Sequence, residues 1–183
     1  MKKKMVKMLL SAAFLFCLTN ANAQKFSPVP KSSGDVAYFP MDVPFKGTAP
    51  VIRIDYFRPL KKGREIFGKL EKFGDVWRTG ANNETQVHFF KDVKIGDTAI
   101  PAGTYSLFII PTEKTWTLIV NKQTDRWGAY SYDKTLDLVR LSVPVKKAAE
   151  AIEAFSITFT PATDGANLVM GWDNTVAEFP VKF

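Results

Sequence analysis

Apolar and polar residues alternate with a period of two along most of the chain. In residues 51–57, Ile52, Ile54 and Tyr56 share one face, and Arg53 and Asp55 lie on the other. Successive side chains of an extended strand point to opposite faces, so this pattern predicts a strand with one buried face. The same reasoning predicts nine or ten short strands in all, at 51–57, 85–89, 93–95, 98–100, 104–111, 115–121, 138–145, 154–160, 167–173 and 175–182.

Short, closely spaced strands of this kind bury their apolar faces by packing sheet on sheet. The predicted fold class is therefore all-β, an antiparallel β-sandwich or a jelly-roll barrel. Gly96-Asp97 predicts a tight hairpin, and the Tyr105 hydroxyl is predicted to bond back to the backbone as a tyrosine corner. A short helix is predicted at 145–152, where Val145, Ala148, Ala149 and Ile152 have helical spacing.

The segment 58–83 departs from the alternating pattern. Ile66, Leu70, Phe73 and Trp77 are spaced like one face of a helix, but two glycines interrupt that face. We expect one long, irregular, self-packed excursion with about one helical turn. Its seven basic and three acidic residues give it a net formal charge of +4.

The amino terminus has the features of a cleavable signal peptide. A lysine-rich start and a short apolar run precede Ala21-Asn22-Ala23, which predicts cleavage after Ala23 and a periplasmic or secreted protein. The run is too short to span a bilayer of about 30 Å, and no other segment approaches that length. Residues 24–34 are predicted to form a flexible leader and 35–183 a single domain. Cys17 follows the large Phe16, so no lipid attachment is expected.

Removal of the signal peptide changes the chemistry available to the chain. Four lysines are lost, and the formal net charge falls from +7 to +3, so charge gives no reason to predict a nucleic-acid partner. The remaining chain has no cysteine, which excludes disulfides and thiol nucleophiles. Because the excursion carries +4, the rest of the mature chain sums to −1. Positive charge is therefore concentrated in the excursion.

Several strings occur along the chain in a fixed order: RPLKKGREIFG, GDVWRTGANNET, IPAGTYSLFIIP, WTLIVNK, WGAYSYD and LVMGWDNT. With these strings the chain resembles the domain of unknown function 2911 family, exported proteins of Gram-negative bacteria. The likeness covers roughly 51–183. It implies export, and it implies no catalytic residue, cofactor or substrate.

The residues offer little for catalysis or metal binding. His88 is the only histidine, and it shares a strand face with Glu84 and Gln86, which indicates a solvated polar face. A zinc site normally takes several histidine or cysteine ligands. We therefore predict no catalytic residue, no metal and no cofactor.

Two loops are candidates for ligand binding. Trp77, Arg78 and Asn82 place an indole, a guanidinium and an amide in a glycine-broken loop, and with Arg64 they are predicted to frame a pocket for an anionic ligand. The alternative is structural: Trp77 plugs one end of the sandwich, while Arg78 and Asn82 satisfy loop backbone groups.

Trp127 and Tyr130, in WGAYSYD, are predicted as a second platform, suited to a sugar ring. The alternative for these two residues is ordinary aromatic packing.

Two classes of function remain open. The favoured class is a non-catalytic binding or accessory module for an anionic or carbohydrate-like small molecule, a glycan or an envelope protein. The other is an envelope hydrolase with its site in 58–83. A hydrolase needs a positioned acid and base, and the acids of this segment show no paired spacing, which favours binding.

Overall fold

Two antiparallel sheets face each other in the computed structural model, which describes residues 28–183; the predicted signal peptide lies outside the described residues. The six-stranded sheet has the order β1-β2-β3-β6-β7-β8 and the four-stranded sheet the order β5-β4-β10-β9. The strands are β1 (Ser33–Phe39), β2 (Ile52–Arg58), β3 (Thr85–Phe89), β4 (Val93–Ile95), β5 (Thr98–Ile100), β6 (Gly103–Pro111), β7 (Thr115–Asn121), β8 (Asp137–Pro144), β9 (Lys146–Ala162) and β10 (Gly165–Lys182).

The prediction of an all-β fold is confirmed, and of the two closures it is the open sandwich that forms, not a closed barrel. The hairpin is confirmed as well, because Ile95 pairs with Thr98 across Gly96-Asp97. The tyrosine corner is also present, since the Tyr105 hydroxyl donates to the carbonyl oxygen of Pro101 at 3.0 Å. Period-two patterning predicted these elements because each strand has one face in the core.

The predicted helix at 145–152 is wrong, because residues 146–152 belong to β9 and Val145 lies between β8 and β9. Pairing to β10 satisfies the backbone there: Lys146 lies opposite Val176 and Lys147 opposite Thr175. Register shifts on both sides of Asp173 break the regular alternation of buried side chains along this part of the ladder. The apolar residues therefore fall at helical spacing although the backbone is extended.

Two other boundaries differ from the predicted ones. The segments 167–173 and 175–182 form the single strand β10, bent by its register shifts. β1 was not predicted, and it begins at Ser33, inside the range 24–34 assigned to a flexible leader. Its residues are mostly exposed or half-buried, with only Ala37 buried, so they carry no clear alternation.

The core lies between the sheets and consists of the inward residues of the alternating strands. Its largest fully buried side chains come from both sheets and include Trp116, Trp172, Phe155, Phe159 and Phe179. Burial of such apolar area, at about 25 cal/mol per Å², is the main stabilising contribution in a fold without disulfides.

The excursion connects β2 with β3, which are neighbours in the six-stranded sheet, and it contacts both sheets. It touches them through isolated backbone bridges, Leu60 with Ala154 of β9 and Trp77 with Ile109 of β6. The expected helical turn is absent from it. Within 28–183 the helical segments are α1 (Val43–Lys46) and a 3-10 turn (Lys134–Leu136), and no helix there is long and apolar enough to cross a membrane.

Candidate functional site

Trp77 inserts the excursion between the two sheets. It is 3 % exposed, its ring stacks on Trp172 at 5.8 Å, and its centroid lies 5.0 Å from that of Phe155. The indole nitrogen donates to the carbonyl oxygen of Gly80 at 3.2 Å. Phe67 packs beside it, 4.8 Å from Trp116. These rings hold both ends of the excursion on the core.

The loop after Trp77 has an unusual backbone. Thr79 and Asn82 have φ of 58°, in the left-handed region that residues other than glycine rarely occupy, and Gly80 has φ of 149°. A Cβ at Gly80 would lie 2.8 Å from the carbonyl oxygen of Phe57, so only glycine fits there. The side-chain nitrogen of Asn82 is buried and has no hydrogen-bond partner within the described residues. Strain and an unsatisfied donor are therefore concentrated in this loop.

This loop forms one wall of a cavity of about 500 Å³. The wall contributes Arg78, Gly80, Ala81 and Asn82, and the first part of the excursion contributes most of the rest of the lining. The apolar lining is Pro59, Leu60, Leu70 and the buried Trp172. A volume of this size falls in the range of small-molecule sites.

The charged lining of the cavity is mainly positive, with the cations Lys31, Lys62, Arg64 and Arg78. Among residues 28–183, none of these side chains is within ion-pair distance of a carboxylate. The excess of positive charge predicted for the excursion thus becomes a cationic concave surface. Such a surface attracts anions.

Backbone carbonyls hold the two guanidinium groups in place. Arg64 donates from Nε to the oxygen of Lys61 at 3.0 Å and from Nη2 to that of Leu60 at 2.6 Å. Arg78 donates from Nη1 to the oxygen of Asn82 at 2.7 Å. A guanidinium has five N–H donors, so each group keeps donors for a ligand. Both are therefore oriented without being neutralised.

Glu71 is the single carboxyl group in the cavity lining. Burial raises its pKa to about 7, although the positive charges of Arg78 and Arg64 act in the opposite direction. Near neutral pH the group is therefore divided between the carboxylic acid and the carboxylate. In the acid form it donates a hydrogen bond and carries no charge that would repel an anion.

A largely buried ion pair fastens the first part of the excursion to β10. Nζ of Lys61 lies 2.6 Å from Oδ1 of Asp173, with the two side chains 21 % and 11 % exposed. The same Nζ donates to the carbonyl oxygen of Arg64 at 3.0 Å. Asp173 lies at the irregular point of β10, with φ of 54°. The irregularity of β10 thus places the Asp173 carboxylate against Lys61. Through this ion pair it positions the turn that carries Arg64.

A second loop, residues 122–136, lies against Arg78. The guanidinium carbon of Arg78 is 5.3 Å from the ring centroid of Tyr130, and a Cβ at Gly128 would lie 2.7 Å from that carbon. The buried Glu84 anchors this loop, since both of its carboxylate oxygens accept from the backbone N–H of Arg126, at 2.9 and 2.8 Å. The two candidate loops therefore meet at Arg78.

The structure places the predicted site residues in different surroundings. Arg64, Arg78 and Asn82 line the cavity. Trp77 lies in the core, where the structural alternative placed it, because its ring packs between the sheets. Tyr130 contacts Arg78.

Trp127, the last predicted site residue, is exposed and paired through its backbone to Asn83, next to the cavity wall. Sequence reasoning did not single out Lys62, Glu71 or Trp172 as site residues. For Lys62 and Glu71, the available signal in the sequence was the concentration of charged residues in the excursion.

The lining does not provide a paired acid and base. Glu71 is its one carboxyl, and His88 lies elsewhere, on the outer face of β3, where Nδ1 is 2.7 Å from the Thr104 hydroxyl. Within the described part of the chain, no group of three or more His, Asp or Glu is placed to hold a metal ion. The site is a concave cationic surface with one ionisable carboxyl group among its described lining residues.

Comparison with known proteins gives a family and nothing more specific. No curated protein and no solved structure matches the chain. One family model, described as a protein of unknown function (DUF2911), matches residues 42–181, which include the whole excursion, both loops and, apart from β1 and the last residue of β10, the strands of the two sheets. The chain therefore belongs to the DUF2911 family.

Proposed function

We propose that this protein is an exported, non-catalytic binding module whose cationic cavity holds a small anionic ligand. Arg64 and Arg78 bind the anion, and Lys62 adds to the field. The observation that carries the proposal is the set of cations on one concave surface, none of which has a carboxylate partner within residues 28–183.

The arrangement of the guanidinium groups supports this proposal. A guanidinium presents a planar fork of donors that matches a carboxylate or a phosphate, and such charge-assisted bonds are about twice as strong as neutral ones. Carbonyl oxygens already fix the orientation of Arg64 and Arg78, so little side-chain freedom is lost on binding. The cavity is therefore preorganised for an anion.

The backbone of the cavity wall gives independent support. Left-handed φ at Thr79 and Asn82 and the unpartnered Asn82 amide reduce stability. Strained backbone and unsatisfied polar groups are concentrated at ligand sites more than elsewhere in folded proteins. The strain observed here lies on the wall of the cavity.

The experiment is a titration of the protein lacking residues 1–23 with inorganic phosphate and with acetate, followed by NMR chemical shifts. We expect saturable shifts at the cavity residues, and we expect Arg78→Ala to weaken binding by roughly 10–100-fold through loss of a charge-assisted contact. Arg53→Ala is the matched control, because Arg53 is paired with Asp55 and does not line the cavity. Thermal melts of the same samples measure the contribution of Arg78 to stability.

The thermal melts distinguish a ligand-binding role of Arg78 from a structural one. Arg78 also donates to the Asn82 carbonyl, so a purely structural role predicts a lower melting temperature with unchanged affinity in the folded protein. That result, or the absence of saturable binding by the unmodified protein, would overturn the proposal.

A hydrolase is the second candidate, and one observation favours it. A carboxyl group with a pKa of about 7 in a cavity has the properties of a general acid or base. Because the cavity lining holds no second acid or histidine, this candidate ranks below binding. Turnover of phosphoester or glycoside substrates that is abolished by Glu71→Gln would reverse the order.

A further inference from the structure

Resting on the proposed function, we infer that the ligand is an acidic saccharide: its anionic group binds Arg78 in the cavity, and its sugar ring lies on Tyr130 and Trp127. The inference names the ligand class of the same site. It comes from the contact between Arg78, on the cationic wall of the cavity, and Tyr130, on the loop 122–136. The charge of the cavity alone does not explain this contact.

Tyr130 and Trp127 are unusually open for aromatic residues. Their side chains are 82 % and 61 % exposed, whereas the other tryptophans of the described chain are buried. Exposed aromatic rings with polar neighbours are a feature of ligand-binding grooves. Both belong to the loop that Glu84 holds through the backbone of Arg126, so the fold maintains their exposure.

The open rings lie beside the anion-binding group. The Arg78 guanidinium is 5.3 Å from the Tyr130 centroid, and its Nη2 is 3.5 Å from the Tyr130 hydroxyl. Trp127 is bridged to Asn83, which directly follows the cavity-lining Asn82. A single ligand a few ångströms long therefore reaches both the guanidinium and a ring.

The chemistry of the combined surface selects the ligand class. One face of a pyranose presents C–H groups that pack on an aromatic ring, and its hydroxyls bond to polar neighbours. The exposed Asn83 and the Tyr130 hydroxyl are available as such neighbours. A uronate adds a carboxylate at one ring carbon, which is the group that a guanidinium binds through paired charge-assisted hydrogen bonds. Neutral sugars lack this second contact, and simple anions lack the first.

The test compares three probes on the protein lacking residues 1–23: D-glucuronate, D-glucose and acetate, each titrated by NMR. We expect glucuronate to bind roughly tenfold more tightly than acetate, and glucose to show no saturation. Tyr130→Ala and Trp127→Ala should each reduce glucuronate affinity by roughly 3–10-fold and change acetate affinity less than about twofold. Phe45→Ala, which removes an 88 % exposed ring away from the cavity, is the matched control and should have no effect.

Each other outcome has a definite meaning. Equal affinities for glucuronate and acetate in the unmodified protein would overturn the saccharide inference and leave the anion proposal standing. Equal losses for both probes in Tyr130→Ala would make Tyr130 a positioning residue for Arg78, which also overturns it. Failure of every anion to bind would overturn the proposed function itself.

Discussion

The guanidinium of Arg78 lies over the ring of Tyr130, 5.3 Å from its centroid, and donates to the carbonyl oxygen of Asn82 on its own loop. Arg78 is therefore the point at which the strained cavity wall and the aromatic loop meet. The position of Arg78 depends on its neighbours. Substitution of a neighbour therefore tests the site while Arg78 itself is unchanged.

Gly128→Ala should weaken anion binding by displacing Arg78. A Cβ at this position would lie 2.7 Å from the guanidinium carbon, so the side chain must move. We expect roughly a 3–10-fold loss of phosphate affinity, measured by NMR titration. Gly47→Ala is the matched control: Gly47 has a similar φ, 66° against 69°, but a Cβ there meets nothing within 4 Å. Equal affinities of the two variants would show that Gly128 does not position Arg78.

Asp173→Asn should destabilise the protein, because it removes the charge that holds Lys61. We expect a loss of roughly 2–3 kcal/mol in the free energy of unfolding, measured with urea. This is less than the roughly 3–5 kcal/mol for a fully buried pair, since the amide oxygen still accepts and Lys61 is partly exposed.

The control is Asp55→Asn, in the exposed pair with Arg53, which should cost roughly 1 kcal/mol or less. Similar losses of unfolding free energy in Asp173→Asn and Asp55→Asn would mean that the Lys61–Asp173 ion pair contributes no more to stability than an exposed pair does.

The raised pKa of Glu71 predicts how stability depends on pH. Between its ordinary value of 4.5 and about 7, the folded protein keeps a proton that the unfolded chain has released. Stability therefore falls as pH rises through this window, by on the order of 3 kcal/mol, and the contribution is constant outside it. Glu71→Gln should remove this slope in urea unfolding at several pH values, and the exposed control Glu113→Gln should keep it.

The same group should link anion binding to protonation. Between pH 6 and 8 Glu71, with its pKa of about 7, gains a negative charge in the cavity lining that repels an anion bound at Arg64 and Arg78. We therefore expect acetate affinity to decrease as pH rises through this range, because acetate itself stays ionised throughout. Phosphate is a poorer probe, since it gains a second negative charge over the same range, which favours binding to cations. A pH-independent acetate affinity would show that Glu71 does not face the bound anion.

Processing is predicted to remove residues 1–23. The lysine-rich start, the short apolar run and Ala21-Asn22-Ala23 are the features that predict export and cleavage. The intact mass of the protein recovered from the periplasm or the medium should correspond to a chain that begins at Gln24. A mature chain that retains these residues, or that carries lipid on Cys17, would contradict the prediction.

Local sequence determined most of the strands, because a strand that buries one face must alternate. Ile52, Ile54 and Tyr56 are buried as their spacing requires, and β3, β4, β5 and β7 have the predicted bounds. The same signal failed where burial is one-sided or irregular. β1 has a single buried residue, and at 145–152 the pairing with β10 overrides the helical spacing of the alanines.

The arrangement of the candidate site depended on the tertiary structure more than the strands did. Composition located positive charge in the excursion and aromatic rings in the 122–136 loop, and it identified Arg64, Arg78 and Asn82 as candidates. It left open whether Trp77 faces a ligand or the core, since an indole suits both, and only the space between the sheets decided it. The contacts of Arg78 with Tyr130 and of Lys61 with Asp173 join residues 52 and 112 positions apart. Local pattern carries no information about such distances, because they are set by how the two sheets and the excursion pack together.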